Sequence, residues 1–147
     1  MPAHFLYLKN NGSPTRWDGT RYFDYLARIR NDLPADLKSL TDKARYDMPS
    51  TSALSIWRSS VSRIEAGAHD ISIGALNDYG TRRFEFQYSG VRKFQTTSAR
   101  LSQMPTIVVQ ELVVLPGGVF RHTFSDMAGA FTTIHAFSMS FREHVVQ

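Results

Sequence analysis

Strict alternation of apolar and polar residues predicts a β-strand from Arg82 to Ser89. Phe84, Phe86 and Tyr88 fall on one side of such a strand, and charged or amide side chains fall on the other. A period of two over this length is typical of a strand with one face in the core and one face in water.

Three further strands are predicted in the last forty or so residues of the chain. Thr106 to Leu115 and Val119 to Ser125 flank the turn sequence Pro116-Gly117-Gly118, and Thr132 to Phe141 follows a glycine-containing loop. Tight turns between runs of β-branched and aromatic residues favour antiparallel hairpins.

The middle of the chain predicts one more hairpin. Its strands run from about Ser60 to Ala66 and from Ile71 to Leu76, with a loop at Gly67 to Asp70. The region from Leu54 to Ala66 also fits a helical stripe, so helix stays open there as the alternative. The segment from Val91 to Met104 is expected to be irregular, with room for a short helix.

Two helices are predicted in the N-terminal part, after a candidate short strand at Phe5 to Leu8. The first begins at Thr20, a good N-cap residue, and Pro34 must end or redirect it. Because proline suits a first helical turn, the second helix is predicted to begin at Pro34. Apolar residues spaced three and four apart form the stripe of the first helix: Tyr22, Leu26, Ile29 and Leu33.

Together these elements predict a single α+β domain over residues 1–147. Its N-terminal helices would pack on a five- to six-stranded, mainly antiparallel sheet. A chain of 147 residues with 42% hydrophobic and 20% charged residues has the size and composition of one globular domain.

Composition excludes some classes of site and permits others. The chain has no cysteine, which excludes disulfides, thiolate metal sites and a cysteine nucleophile. Its net charge of +4 permits an acidic partner without demanding one. The longest apolar tract, Ile107 to Leu115, is too short for a membrane span. We therefore expect a cytoplasmic protein that does not enter a membrane.

Glu111, His122 and His135 are the candidate catalytic or metal-binding residues. If the last hairpin closes between Ser125 and Thr132, His122 lies opposite His135. A two-residue glycine turn before it would put Glu111 diagonally beside His122 on the same face. A slip of one residue in either turn would send a side chain to the other face of the sheet.

Two imidazoles and a carboxylate on one face can bind a divalent metal or transfer protons. The hypothesis that follows is a metal-dependent or acid–base enzyme, with Glu111, His122 and His135 as its site. The alternative is structural: the two histidines hydrogen-bond each other or nearby backbone, and Glu111 pairs with Arg121 or another arginine. No sequence motif identifies a cofactor, and no phosphate-binding loop is present.

The main functional expectation is a small non-catalytic interaction protein of an accessory or toxin-neutralising type. Its partner would be another protein or a second copy of the chain in a homodimer. The predicted contact surfaces are the wet side of the alternating strand and an aromatic helix face. They comprise Arg83, Glu85 and Gln87 on the strand, and Trp17 and Tyr25 near the first helix.

Nucleic-acid binding is the second alternative. Cations alternate with aromatics from Arg82 to Tyr88 and continue through Arg92-Lys93-Phe94. Exposed aromatic side chains on a sheet can stack on bases while cations contact phosphates. The glycines of the RNA-recognition signature are missing. The structural interpretation is that the aromatics belong to the core and that Arg83 lies on a solvated face.

Overall fold

The computed structural model of the chain describes residues 20–46, 55–56, 59–77, 79–96, 106–107, 109–125 and 131–146. Helical structure within these ranges comprises one α-helix and three short 3₁₀ segments. The α-helix, α1, spans Thr20–Ile29, and the 3₁₀ segments span Arg30–Asp32, Leu37–Thr41 and Lys43–Tyr46. The strands are β1 (Ser59–Ala66), β2 (Asp70–Leu76), β3 (Arg82–Thr96), β4 (Thr106–Ile107), β5 (Val109–Leu115), β6 (Val119–Ser125) and β7 (Phe131–Val145).

The described strands form a single sheet that curls back towards its own beginning. Its strand order is β4-β1-β2-β3-β7-β6-β5, and every paired neighbour is antiparallel. The outermost strands of this order, β4 and β5, are separated along the chain by residue 108 alone. Such connectivity is possible only when the sheet is strongly curved, so that its two ends approach each other.

The two longest strands, β3 and β7, connect the halves of this sheet. The first half of β3 pairs with β2 on one side and with the last half of β7 on the other. The second half of β3 pairs with the first half of β7, which in turn pairs with β6. Gly90 divides β3 between these halves with a φ of 62°, which favours glycine. A bulge follows between Val91 and Lys93. Bulges bend a strand and increase its twist, which suits the curvature of this sheet.

Alternation along β3 places its aromatic residues inside the curved sheet. Phe84, Phe86 and Tyr88 are almost completely buried, while Arg83 and Gln87 between them are exposed. The prediction of one buried and one wet face is therefore confirmed. We call the side of the sheet that carries these aromatics its inner face.

Helix α1 lies against the open edge of β5. The Tyr22 hydroxyl accepts a hydrogen bond from the Leu112 amide at 2.6 Å and donates to the Leu112 carbonyl at 3.0 Å. One helical turn later, the Tyr25 hydroxyl makes the same pair of contacts with Val114, at 2.8 and 3.4 Å. Two phenols thus occupy main-chain groups that an edge strand would otherwise offer to another chain.

The predicted architecture is confirmed in outline and differs in detail. The described residues contain a seven-stranded antiparallel sheet, instead of five or six strands, and one α-helix. After Pro34 the chain forms 3₁₀ segments, so the prediction of a second α-helix there is wrong. Residues 59–66 form a strand, and so do residues 91–96, which we expected to be irregular. The candidate strand at Phe5 to Leu8 lies outside the described residues.

None of the helices in the described part of the chain is long and apolar enough to cross a membrane.

Candidate functional site

His122 lies on the inner face of β6 and is completely buried. The Tyr88 hydroxyl contacts its Nδ1 at 2.5 Å, and its Nε2 lies 2.6 Å from Oε1 of Gln110. An amide oxygen can only accept, so Nε2 carries the hydrogen and donates to Gln110. Nδ1 then accepts from Tyr88, and both ring nitrogens of His122 are satisfied.

The surroundings of His122 keep its ring neutral. Burial lowers the pKa of His122 to about 3, because the interior disfavours a charged imidazolium. The rings of Phe86 and Phe124 pack against it, with centroids at 5.0 and 4.4 Å from the imidazole centroid. Burial also raises the pKa of Tyr88 well above its ordinary value. Neither group of this pair exchanges a proton near neutral pH.

The hydrogen-bonded chain continues from Gln110 to the residues that precede β1. Burial raises the pKa of Tyr46, and its side-chain contacts with Tyr22 and Gln110 oppose that rise. The Tyr46 hydroxyl donates to the Leu40 carbonyl at 2.8 Å and lies 3.3 Å from the Tyr22 hydroxyl. A neutral polar chain therefore runs from β3 through the interior to α1. Such chains rigidify and specify a fold when each member is satisfied.

His135 does not join His122. In the β6–β7 pairing, His135 lies opposite Arg121 and His122 lies opposite Ile134. Consecutive positions on a strand face opposite sides, so the two imidazoles project from opposite faces of the sheet. The predicted pairing of His122 with His135 is wrong.

The physical reason is a slip of one residue at the loop between these strands. Ser125 pairs with Phe131 rather than with Thr132. The loop is therefore one residue shorter than expected, and every side chain of β7 is inverted relative to β6.

Glu111 lies on the outer face of β5, away from His122. It pairs with Thr123, because a three-residue turn, Pro116 to Gly118, connects β5 to β6 instead of the expected two-residue turn. Both glycines of this turn have positive φ, 88° and 79°. Glu111 is 1% exposed, and its Oε1 lies 3.6 Å from a terminal nitrogen of Arg121. The structural alternative for Glu111, a contact with Arg121, is confirmed.

The predicted three-residue centre is consequently not assembled. Glu111 and His135 share the outer face, and His122 lies on the inner face. Among the described residues, no group of three or more histidine, aspartate or glutamate side chains could hold a metal ion.

Basic side chains gather on the outer face of the second half of the sheet. Lys93, His135 and Arg121 lie side by side on β3, β7 and β6. Arg92, next to Lys93, packs its guanidinium over the ring of Phe137 at 5.1 Å. The pKa of His135 is lowered by partial burial, then by the nearby charges of Lys93 and Arg121. We call this group of five residues the basic patch.

The predicted partner surface on β3 lies on the outer face of the first half. Arg83, Glu85 and Gln87 pair with His144, Arg142 and Ser140 of β7. The Arg63 side chain passes over Gly74 of β2, and its Nε would lie 3.5 Å from a Cβ atom if another residue replaced this glycine. A terminal nitrogen of Arg63 lies 3.4 Å from Oε1 of Glu85 on β3.

The two aromatic members of that prediction have different outcomes. Tyr25 is half-buried, and its hydroxyl is engaged with the main chain of Val114. Trp17 lies outside the described residues. On the helix face that was predicted to contact a partner, Tyr25 thus points partly towards β5 and not fully into solvent.

A buried arginine that the sequence did not single out joins the N-terminal segments to β7. Arg45 is 4% exposed and makes a two-pronged contact with Glu143, at 2.5 and 3.0 Å. Its guanidinium also packs over the rings of Phe84 and Phe141, at 5.9 and 5.1 Å. Arg82 lies 3.4 Å from the same carboxylate. Charge, planarity and stacking all favour arginine at this position.

No protein-family model, no curated protein and no solved structure matches the chain.

Proposed function

We propose that this chain is a non-catalytic interaction protein that binds a protein partner through the β3–β7 end of its sheet. The observation that carries the proposal is a group of exposed apolar side chains at that end. Tyr79, Val145 and Val146 are 57%, 65% and 39% exposed. Exposed apolar groups that lie together and are bordered by charges are typical of protein interfaces.

Main-chain contacts bring these three residues to the same end of the sheet. The Val146 amide donates to the Thr81 carbonyl at 2.9 Å, and Val145 pairs with Arg82. The turn that carries Tyr79 is therefore fastened to the last residues of β7. We call these three residues the apolar end.

Charged side chains border the apolar end on the outer face. Arg83 pairs with His144 beside it, and Glu85 pairs with Arg142 further along. His144 and Arg63 both contact Glu85, at 3.6 and 3.4 Å. A border of both signs favours one orientation of a partner over others, because like charges brought together oppose the wrong alignment.

The enzyme alternative lacks a comparable supporting observation. Glu111 and His122 project from opposite faces, and the imidazole of His122 is buried, neutral and hydrogen-bonded at both nitrogens. The proposal keeps the cytoplasmic location expected from the sequence.

Affinity capture with surface variants tests the proposal. The immobilised protein is expected to retain a partner from a lysate of its source cells, and that partner is expected to bind again when purified. Val145→Asp puts a charge into the apolar end, and Arg83→Glu reverses its border; each is expected to weaken rebinding at least tenfold. Arg28→Glu is the matched control, because Arg28 is exposed on α1, away from this surface.

Sedimentation velocity of the purified protein tests a second copy of the chain as the partner. A homodimer that Val145→Asp dissociates and Arg28→Glu leaves intact would identify the partner as the chain itself. A monomeric protein whose captured partners rebind equally well to all three variants would contradict the proposal.

A further inference from the structure

The bulge in β3 directs two consecutive cations to the same side of the sheet. Val91 is partly buried and pairs with the buried Ala136, and Lys93 pairs with His135 on the outer face. Arg92, the extra residue between them, stacks on Phe137. In a regular strand Arg92 and Lys93 would face opposite sides. The bulge therefore concentrates positive charge on the outer face, as bulges do when they redirect a side chain.

Three basic side chains continue from this point across the sheet. Lys93 on β3, His135 on β7 and Arg121 on β6 occupy directly paired positions. Neighbouring strands lie about 4.8 Å apart, so the row spans about 10 Å. Threonine hydroxyls follow in the next row, where Oγ1 of Thr123 lies 3.2 Å from Oγ1 of Thr133. The row runs perpendicular to the strands. Lys93 is exposed and His135 is partly exposed, whereas the Arg121 side chain is 12% exposed and contacts Glu111.

A flat apolar surface adjoins the row. Phe137 is 53% exposed, and its ring lies over Gly90, where a Cβ would come within 3.2 Å of the ring. On the same ring, the Arg92 guanidinium packs at 5.1 Å. The glycine gives the ring room to lie on the sheet, and the guanidinium lies over the ring as a second planar group.

We propose that the basic patch binds single-stranded nucleic acid. Lys93, His135 and Arg121 would contact successive phosphates, and Phe137 with Arg92 would stack on an unpaired base. Grooves that bind single strands without sequence preference combine these two elements: cations that follow the backbone and aromatic faces for the bases.

The aromatic element favours single-stranded nucleic acid over an acidic peptide. An acidic peptide would use the cations and leave Phe137 without a planar counterpart, whereas a base has a flat face that stacks on a ring or a guanidinium. Paired bases in a duplex do not offer that face, so the proposal excludes duplex as the preferred ligand. This surface is separate from the apolar end, and the two proposals can fail independently.

Proton uptake by His135 gives the proposal a pH signature. Lys93 of β3 and Arg121 of β6 flank His135, and Glu111 of β5 contacts Arg121 from the far side. These cations and partial burial hold the pKa of His135 below its ordinary 6.5 in the free protein. A bound phosphate favours the protonated imidazole, so binding raises that pKa, and affinity should increase as the pH falls from 7.5 to 6.

Fluorescence anisotropy with fluorescein-labelled dT15 tests the proposal. At 50 mM salt we expect a Kd on the order of 10 µM, with a slope of log Kd against log salt of about 2, since each phosphate contact on a single strand contributes about 0.7. Phe137→Ala should weaken binding about tenfold through lost stacking. Lys93→Gln should weaken it and reduce the slope by about 0.7.

Controls separate this surface from general positive charge. Arg28→Gln removes an exposed cation from α1 and should change the affinity less than twofold. His135→Gln should abolish the pH dependence, while His144→Gln, at the other half of the sheet, should preserve it. Circular dichroism and thermal unfolding confirm that each variant is folded.

Three results would overturn the proposal. One is absence of dT15 binding at 50 mM salt and 100 µM protein. Another is equal binding by the protein and by its Phe137→Ala and Lys93→Gln variants. The third is equal affinity for poly-glutamate and dT15 with no effect of Phe137→Ala, which would assign the patch to acidic proteins.

Discussion

Replacing His122 by alanine is expected to lower the free energy of unfolding by about 4 kcal/mol. The substitution empties the space between Phe86 and Phe124, whose rings contact the imidazole. It also takes the hydrogen-bond partner from the Tyr88 hydroxyl and from Gln110 Oε1 in a buried region. Urea unfolding at pH 7, followed by tryptophan fluorescence and circular dichroism, measures this loss.

His135→Ala is the matched control for this prediction. His135 lies on the outer face of the sheet and is only partly buried. His135→Ala should therefore change the free energy of unfolding by less than about 0.5 kcal/mol. Tyr88→Phe, which removes only the hydroxyl, should cost about 1–2 kcal/mol. In a double-mutant cycle the effects of Tyr88→Phe and His122→Ala should be strongly non-additive. Equal losses for His122→Ala and His135→Ala would contradict the assignment of faces.

Arg45→Met is expected to lower the free energy of unfolding by about 3 kcal/mol. Arg45 is buried and makes both contacts to Glu143, so its removal leaves that carboxylate with Arg82 alone among its described ion-pair partners. The expected loss is at the low end for broken buried pairs, because the Glu143 side chain is 29% exposed. Arg45→Lys should recover only part of it, since an ammonium cannot make the two-pronged contact.

Acid should remove the stabilisation that Glu143 provides. The hydrogen bond from Arg45, assisted by the charges of Arg45 and Arg82, lowers the pKa of Glu143 below its ordinary 4.5. A carboxyl group whose pKa is lower in the folded protein stabilises it fully above the unfolded pKa. That contribution is lost as the pH falls through the folded pKa. The stability difference between the protein and Glu143→Gln should therefore be constant from pH 7 to 5 and shrink below about pH 4.5.

Glu65→Gln is the control for the acid effect. Glu65 is 67% exposed and contacts Arg63 at 3.3 Å, so its removal should change stability little at any pH. A stability difference for Glu143→Gln that persists unchanged at pH 3 would show that the ion pair with Arg45 is not the source of the stabilisation.

The strand β3 illustrates what local pattern can and cannot predict. Its first half was predictable, because three aromatic residues at alternate positions leave few other structures. Its second half was not, because the bulge at Arg92 interrupts the alternation and Gly90 resembles the end of a strand. A glycine with positive φ inside a strand has the same sequence signature as a glycine in a turn.

Register was the point at which prediction of the site failed. The strand Val119 to Ser125 was predicted with its observed bounds, and Thr132 to Phe141 was predicted shorter than β7. The predicted strand Thr106 to Leu115 is divided into β4 and β5, which lie at opposite edges of the sheet. Even where the bounds agree, the face of each side chain depends on whether a loop has an odd or even number of residues. One residue fewer between Ser125 and Phe131, and one more between Leu115 and Val119, separated His122 from both Glu111 and His135. Composition alone does not distinguish these loop lengths.

Contacts between distant segments could not be derived from the sequence at all. The Tyr22 hydroxyl meets Leu112, and Arg45 meets Glu143, across 90 and 98 positions of the chain. One feature of the sequence did indicate the buried hydrogen-bonded side chains. Gln110 interrupts an otherwise apolar strand, and a polar residue in such a strand requires a buried partner. The partner, His122, follows only once the pairing of β5 with β6 is known.

Nitrogen-15 NMR of the imidazole rings against pH tests the central claim, that His122 is a sealed structural residue on the face opposite His135. The account predicts a neutral His122 with its hydrogen on Nε2 and no titration between pH 8 and 5. His135 should titrate with a pKa below 6.5. A His122 ring that titrates in this range, or a zinc addition that shifts both rings together, would contradict the account.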